Sequence, residues 1–317
     1  MNKVVFSIEP LSDWQKEYVE KHAMCKVVLL DRENAMTSKP LFDVEVLIAR
    51  DRDNVEHLMD NFPNLKFLFI VSTGVEKLPF KRLDDANIYV ANTGGINSEI
   101  MSQYAIAYIL ADSARVCENF SNQEKHYWKP YQCVDSLEGK TILIVGVGRT
   151  GKLIAHKARA LGMNCLGVKK HPIESPEFEK MVRLEQMEQL LPQADYVVCC
   201  LPLTPETKDV FAKGLFERMK STAMFINLSR GKCVNIKDLV RALSEGVIKR
   251  AVLDVFPTEP IDADSELWDV PNLWITPHSS GRLENFMDEA MKYFVDNYIA
   301  FINNTKLPNE VNLKNGY

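Results

Sequence analysis

Three side chains in the second half of the sequence are of types that move a proton beside a held anion. Arg230 stands in Asn227-Leu228-Ser229-Arg230-Gly231, Glu259 in Asp254-Val255-Phe256-Pro257-Thr258-Glu259-Pro260, and His278 in Thr276-Pro277-His278-Ser279-Ser280-Gly281. Each follows a short apolar run of strand character. Ligands of open parallel sheets bind outside the carboxyl ends of the strands, so the three residues are expected on one rim. A guanidinium can hold a carboxylate through paired donors and polarise a neighbouring carbonyl. A histidine can give a proton to a forming alkoxide while hydride arrives from a nicotinamide, and in the opposite direction the neutral ring is the base. A carboxylate beside that histidine stabilises the imidazolium and orients the ring. Together the three fit reduction of a 2-oxo acid. Taken singly, they read better as a surface arginine, a loop carboxylate and a hydrogen-bonded structural histidine, and only jointly, with the glycine loop, do they favour the chemistry.

A glycine loop gives the trio its context. Gly146-Val147-Gly148-Arg149-Thr150-Gly151 fits G-x-G-x-x-G, directly after the apolar run 141–145 and at the start of a helix-like stretch. Gly146 permits the tight turn, Gly148 lets backbone approach a pyrophosphate, and Gly151 lets helix pack on sheet. The helix start, with Arg149 and Thr150, offers free N–H groups and a positive dipole end to the anion. About 20 residues on, an NAD site places Asp or Glu for the ribose 2′-hydroxyl. This chain has Val168-Lys169-Lys170-His171 instead. Lys169 and Lys170 would attract a 2′-phosphate, so NADP is the expected preference, with NAD possible if the lysines are only a solvated turn.

These residues need a scaffold of alternating strands and helices. Strands are predicted over 3–8, 26–30, 44–49, 65–71 and 88–91, then over 141–147, 164–168, 196–201, 223–227, 250–253 and 273–276. Their runs are apolar throughout, as strands buried on both faces are. Helices are predicted over 11–21, 55–61, 98–119, 150–161, 184–191, 215–219, 236–244 and 284–302. The pattern predicts α/β architecture in two doubly wound domains with parallel sheets, the second a six-stranded dinucleotide-binding fold. In 98–119, Ile100, Tyr104, Tyr108 and Ala111 suggest the apolar face, and Ser98 is the expected N-cap. Gly162 and Gly246 sit where helices should end.

Composition excludes other classes. The chain of 317 residues is 46% apolar and 26% charged, with net charge −5. That argues against disorder and gives no basic surface for nucleic acid. No apolar run approaches membrane-spanning length, and MNKVVFSIEP lacks the apolar core of a secretory leader, so a cytoplasmic protein is expected. The seven cysteines have no metal-ligand spacing and are expected to be free, packed thiols, with no metal. Adjacent Cys199 and Cys200 should face opposite sides of a strand.

Read together, these motifs resemble the D-isomer-specific 2-hydroxyacid dehydrogenase family, which includes phosphoglycerate, D-lactate and glyoxylate/hydroxypyruvate dehydrogenases and reductases. The resemblance runs through STGVEKLP (72–79), NTGGINSE (92–99), GVGRTG, LPLTPET (201–207), NLSRG, LDVFPTEP and TPHSSG to NEVNLKNGY (309–317). It implies that Arg230 binds substrate and that Glu259 and His278 form the acid–base pair. It implies that Asp254 bonds the nicotinamide carboxamide and that Pro202 and Thr207 contact the cofactor. Ser72, Thr73, Gly74 and Val75 are the implied loop whose N–H groups receive the substrate carboxylate, with Arg230 and His278 completing the substrate site. A flavodoxin-like substrate domain of 1–97 plus 285–317 is implied, with a Rossmann domain of 98–284 inserted in it. A homodimer through the dinucleotide domain is implied, with 98–128 in the contact. Lys169 departs from the Asp of NAD-preferring members, Gly94 from a common proline, and Ser280 from the usual alanine or glycine. After Tyr317 no room is expected for the regulatory domain of longer phosphoglycerate dehydrogenases.

The substrate is less legible. Arg50 and Arg52 share a face if extended and would suit a distal anionic group, while two solvated arginines balanced by Asp51 and Asp53 are as good a reading. A small 2-oxo acid such as glyoxylate, hydroxypyruvate or pyruvate is the default. A dinucleotide-sensing, co-repressor-like binding protein on the same fold is the alternative, and a formate or phosphite dehydrogenase a third.

Overall fold

Valine, isoleucine, leucine and phenylalanine in runs of four or five cannot stay in water, and in this chain each run is sheeted between helices. The computed structural model describes residues 3–37 and 40–314. The start of the expected substrate domain, 1–2, and the end of the NEVNLKNGY motif, 315–317, lie outside these residues. The chain divides into two units, 1–96 with 283–317 and 97–282.

The first unit holds β1 (Lys3–Ser7), α1 (Asp13–Ala23), β2 (Cys25–Leu29), α2 (Arg32–Thr37), β3 (Val46–Ala49), α3 (Val55–Asn61), β4 (Phe67–Ile70), α4 (Phe80–Asp85) and β5 (Tyr89–Asn92). Its sheet is parallel in the order β2-β1-β3-β4-β5, a flavodoxin-like arrangement. Side chains alternate between faces: Val46, Ile48, Phe67 and Phe69 join one core, and Leu47, Ala49, Leu68 and Ile70 the other. Ser12 and Gln15 form a capping box that starts α1.

The second unit holds α5 (Ser98–Ser113), α6 (Val116–Glu124), β6 (Thr141–Val145), α7 (Arg149–Ala160), β7 (Asn164–Val168), β8 (Lys180–Val182), β9 (Tyr196–Cys199), α8 (Lys213–Phe216), β10 (Met224–Asn227), α9 (Ile236–Ser244), β11 (Arg250–Leu253) and β12 (Leu273–Ile275). The chain returns to the first unit with α10 (Phe286–Ile302). The sheet order β12-β11-β10-β9-β6-β7-β8 is doubly wound, with the winding reversing between β6 and β9. Again the faces alternate. Leu143, Val145, Val197, Phe225 and Leu253 pack on one side, Ile142, Ile144, Val198, Ile226 and Val252 on the other.

Several expectations are corrected. The sheet has a seventh strand, β8, too short and too charged to show an apolar run. The helix predicted over 98–119 breaks at Arg115, which is left-handed (φ 55°), so α5 and α6 are separate. Asn97, not Ser98, occupies the N-cap of α5. The fully buried stripe of α5 is Ser98, Ser102, Ala105, Ile109 and Asp112, while Tyr104 and Tyr108 are half-buried. The stretch predicted as a helix over 184–191 is 3-10 helix. Gly162 and Gly246 do follow helix ends, at φ 77° and 67°. All seven cysteines are free, but Cys117 and Cys133 are exposed rather than packed. No helix among the described residues is long and apolar enough to cross a membrane.

Candidate active site

The glycine loop turns directly off β6. Gly146 has φ 105°, and a Cβ on it would lie 2.6 Å from the Cys200 carbonyl, so β6 and β9 can close together only around glycine. A Cβ on Gly151 would lie 2.6 Å from the Gly146 carbonyl oxygen. That contact seats α7 on the loop. Gly148 is the opposite case: a Cβ there would meet nothing within 4 Å, so its backbone faces open space beside the N-terminus of α7. The first N–H groups of α7 lack intrahelical acceptors, which suits a pyrophosphate, so the loop fits a dinucleotide. Arg149 at the helix start is exposed, and the Thr150 hydroxyl donates to Ser98 Oγ at 3.0 Å, pinning α7 to α5.

At the end of β7, Lys169 Nζ donates to the Val147 carbonyl at 2.8 Å, which places its charge on the glycine loop and leaves two further N–H donors. Lys170 is exposed, and its field reaches Glu206, whose carboxyl is held below the usual range by the Thr204 side chain, its own backbone and then Lys170. In the loop after β9, the Thr207 hydroxyl donates to the Pro202 carbonyl (2.7 Å) and accepts from Thr204 N–H (2.8 Å). Thr207 is thus the internal clasp of this loop, and Pro202 is half-buried beside it.

Arg230, Glu259 and His278 follow β10, β11 and β12, three neighbouring strands, at their carboxyl ends. Wholly buried Asn227 shapes the first loop: its Oδ1 accepts from Ser229 N–H (3.0 Å) and Ser229 Oγ (2.8 Å), while Nδ2 donates to the Arg230 carbonyl (3.1 Å). Gly231 presses this loop against the next one, for a Cβ there would lie 1.9 Å from the Phe256 carbonyl carbon. Glu259 Oε1 accepts from Phe256 N–H at 2.8 Å, and Oε2 meets His278 Nδ1 at 2.7 Å. With Nδ1 donating to the carboxylate, Nε2 is the ring atom left for a reactant.

Asp254 exposes none of its surface. Its Oδ1 accepts from Thr276 Oγ1 (2.6 Å) and Ser279 N–H (2.9 Å), and Oδ2 from Ser280 N–H (3.0 Å). It therefore organises the 276–280 loop, a task the sequence reading did not give it. Under Arg230 lies a second buried group: Cys199 Sγ is 3.2 Å from Ser229 Oγ. Burial, then a hydrogen bond with Cys233, pushes the Cys199 thiol up, and the same bond holds Cys233 below its ordinary value. Asn227 was missed as a positioning residue, though Asn followed two residues on by Ser just past a strand is an Asx-turn signal.

In the first unit, the implied carboxylate loop follows β4. Val75 is buried, Ser72 and Gly74 half-buried and Thr73 exposed. The Ser72 N–H already donates to the Ile70 carbonyl at 2.8 Å, so it is not free to receive an anion as expected. The Asn92 side chain steadies the Thr73 carbonyl at 3.1 Å. Arg50, after β3, is neither solvated nor paired with Asp51. Its Nη2 lies 2.7 Å from buried Glu9, and Arg32 bridges Glu9 and Asp53 at 3.4 and 3.0 Å. Arg52 is exposed.

Residues 106–280 match the model of the D-isomer specific 2-hydroxyacid dehydrogenase NAD-binding domain. The chain belongs to the D-isomer specific 2-hydroxyacid dehydrogenase family. A glyoxylate reductase of Korarchaeum cryptofilum is 32% identical over 85% of this chain and 83% of its own length. A glyoxylate reductase/hydroxypyruvate reductase of Mus musculus is 29% identical over 98% of both chains. A crystal structure of a family member from Aeromonas salmonicida, 30% identical, superposes with a TM-score of 0.80 over 99% of this chain and 100% of that one. This member of the family is an NAD(P)-dependent 2-hydroxyacid dehydrogenase, and its seven-stranded unit is the family's nicotinamide-dinucleotide fold.

Proposed function

We propose that the protein reduces a small 2-oxo acid, glyoxylate or hydroxypyruvate, to the D-2-hydroxy acid, with NADPH preferred over NADH. The observation that carries the reading is the 2.7 Å contact of Glu259 Oε2 with His278 Nδ1 on the rim that also bears Arg230 and the glycine loop. The names of the relatives from Korarchaeum and mouse support the choice of substrate. A bound nicotinamide would supply the hydride. Arg230 holds the carboxylate and polarises the carbonyl. His278 Nε2 gives its proton to the developing alkoxide, and Glu259 balances the imidazolium and fixes the ring. One hydride and one proton convert the carbonyl to the alcohol, and the ring is reprotonated from solvent.

The N–H groups at Thr73, Gly74 and Val75 are proposed carboxylate receivers on the chemistry of that loop alone. Gly146, Gly148 and Gly151 with Arg149 and Thr150 cradle the pyrophosphate, and Lys169 and Lys170 face the 2′-phosphate. Pro202 and Thr207 shape the loop on the other side of the turn. Asp254 holds the 276–280 loop and is also the proposed partner of the nicotinamide carboxamide, since its carboxylate accepts only three bonds here. A homodimer through the dinucleotide unit is supported by the exposed large apolar side chains of its 116–134 segment, among them Phe120, Trp128 (88% exposed) and Tyr131 (99% exposed). Light scattering should give twice the 36.2 kDa chain mass. A monomer would remove that part of the reading.

The deciding assay follows NADPH and NADH oxidation with glyoxylate, hydroxypyruvate, pyruvate and a branched 2-oxo acid. Turnover with the first two, faster with NADPH, is expected. Turnover confined to the branched acid, or faster with NADH throughout, would overturn the substrate or cofactor assignment respectively.

A further inference from the structure

His278 is an awkward residue to hold still. Its side chain is 52% exposed, so packing does not fix it. Its backbone is left-handed, φ 52°, a conformation disfavoured for a non-glycine residue. The ring position therefore depends on the Glu259 bond and on whatever anchors the 276–280 backbone.

The anchors form a connected chain within the dinucleotide unit. Asp254 Oδ1 takes both the Thr276 hydroxyl (2.6 Å) and the Ser279 N–H (2.9 Å), one on each side of His278. The Ser279 hydroxyl meets the Tyr104 hydroxyl at 2.8 Å. One helical turn further along α5, the Tyr108 ring packs edge-on to Tyr104, centroids 5.2 Å apart. Burial pushes the Tyr108 hydroxyl well above its ordinary value, so it stays protonated. The chain of bonds runs from Thr276 to Asp254, on to Ser279 and out to Tyr104. It spans the backbone that carries His278 and ends on α5.

We propose that Tyr104, acting through the Ser279 hydroxyl, is a positioning residue that fixes the backbone of His278 for proton transfer. It touches neither substrate nor the reacting atoms. Changes at two hydroxyls that share one bond are non-additive, because loss of either partner breaks the same link. The proposal rests on His278 being the proton donor.

The test compares Tyr104→Phe, Ser279→Ala and the double variant in the full chain, with glyoxylate and NADPH. Each single change should lower kcat by about tenfold, and the double variant by about the same factor. NADPH affinity and the KM for glyoxylate should stay within about twofold, because neither hydroxyl binds a ligand. Amide hydrogen exchange of the peptide spanning 276–281 should speed by about fivefold or more in each variant. Unchanged kcat in both singles, losses that multiply to about a hundredfold in the double, or unchanged exchange would overturn the proposal. Absence of turnover in the parent protein, or full turnover in His278→Ala, would instead overturn the functional reading. The exchange measurement would then still decide whether Tyr104 anchors the loop.

Discussion

Replacing Gly231 with alanine probes the join on which the whole rim depends. The new Cβ would lie 1.9 Å from the Phe256 carbonyl carbon, 2.2 Å from its oxygen and 2.4 Å from Pro257 N. Carbon atoms settle at about 3.5 Å, so the loops after β10 and β11 must part by roughly 1.5 Å. All three clashing atoms are backbone, so no side-chain rotation relieves them. On one side of the join Asn227 fixes the turn that carries Arg230, and on the other Phe256 N–H holds Glu259. Parting the loops therefore moves Arg230, the proposed substrate anchor, away from Glu259 and His278, the proposed acid–base pair. Misplacement by about 1 Å costs roughly a hundredfold in rate, and overpacking costs about 1–3 kcal/mol of stability. Steady-state kinetics should give kcat/KM down by about two orders of magnitude, with Tm lower by several degrees and far-UV circular dichroism unchanged. NADPH binding should survive, because the glycine loop lies across the sheet. Retention of kcat/KM within threefold together with a native Tm would refute the claim that contact at Gly231 sets the distance between Arg230 and Glu259.

The other perturbations separate chemistry, cofactor and scaffold. His278→Ala should lower kcat by about 10²–10⁴ while NADPH affinity, read by fluorescence, stays near the parent value. A kcat within tenfold of the parent would reassign the proton donor. Changing Lys169 and Lys170 together to alanine should weaken NADPH by about tenfold or more and NADH by less than about twofold, since only the former carries the 2′-phosphate. Equal losses would show the lysines to be scaffold for the Val147 turn. Asp112→Ala removes a buried carboxylate that lies 2.8 Å from Lys249 Nζ and 3.1 Å from Arg250 Nε. Because Lys249 is partly solvated, the cost should be about 2 kcal/mol rather than that of a fully buried pair, and a chemical melt showing less than about 0.5 kcal/mol would contradict it.

What could be read from the sequence followed from how local each signal was. Every strand with a continuous apolar run was legible, because burial on both faces leaves no other composition. The edge strand Lys180–Val182 was not, since an edge needs neither length nor apolarity. The break at Arg115 was hidden because a left-handed arginine carries no glycine signal. The types and order of Arg230, Glu259 and His278 were readable, but the role of Asp254 was not. A single letter does not report that an aspartate is buried with three donors within 3.0 Å, and only the folded loop shows it. Tyr104 was assigned to the packing face of its helix, yet its hydroxyl contacts Ser279, some 175 residues away in sequence. No periodicity reports such a partner.

The two sheets show why fold alone could not have located the chemistry. Both wind in two directions, and both therefore open a crevice where the winding reverses, the usual place for a ligand. In the first unit the crevice lies between β1 and β3, and it is filled by Glu9, Arg50, Arg32 and Asp53 in mutual ion pairs. Opposite charges already matched there give an anion no advantage over water, so Arg50 is better regarded as the cross-brace between the ends of β1 and β3. In the second unit the crevice lies between β6 and β9, where Gly146 lets the turn pack against the Cys200 backbone and Gly148 faces open space. The same topology thus carries a closed electrostatic plug in one unit and an open anion cradle in the other. Side-chain chemistry at the reversal, not the reversal itself, decides whether that crevice can take an anion.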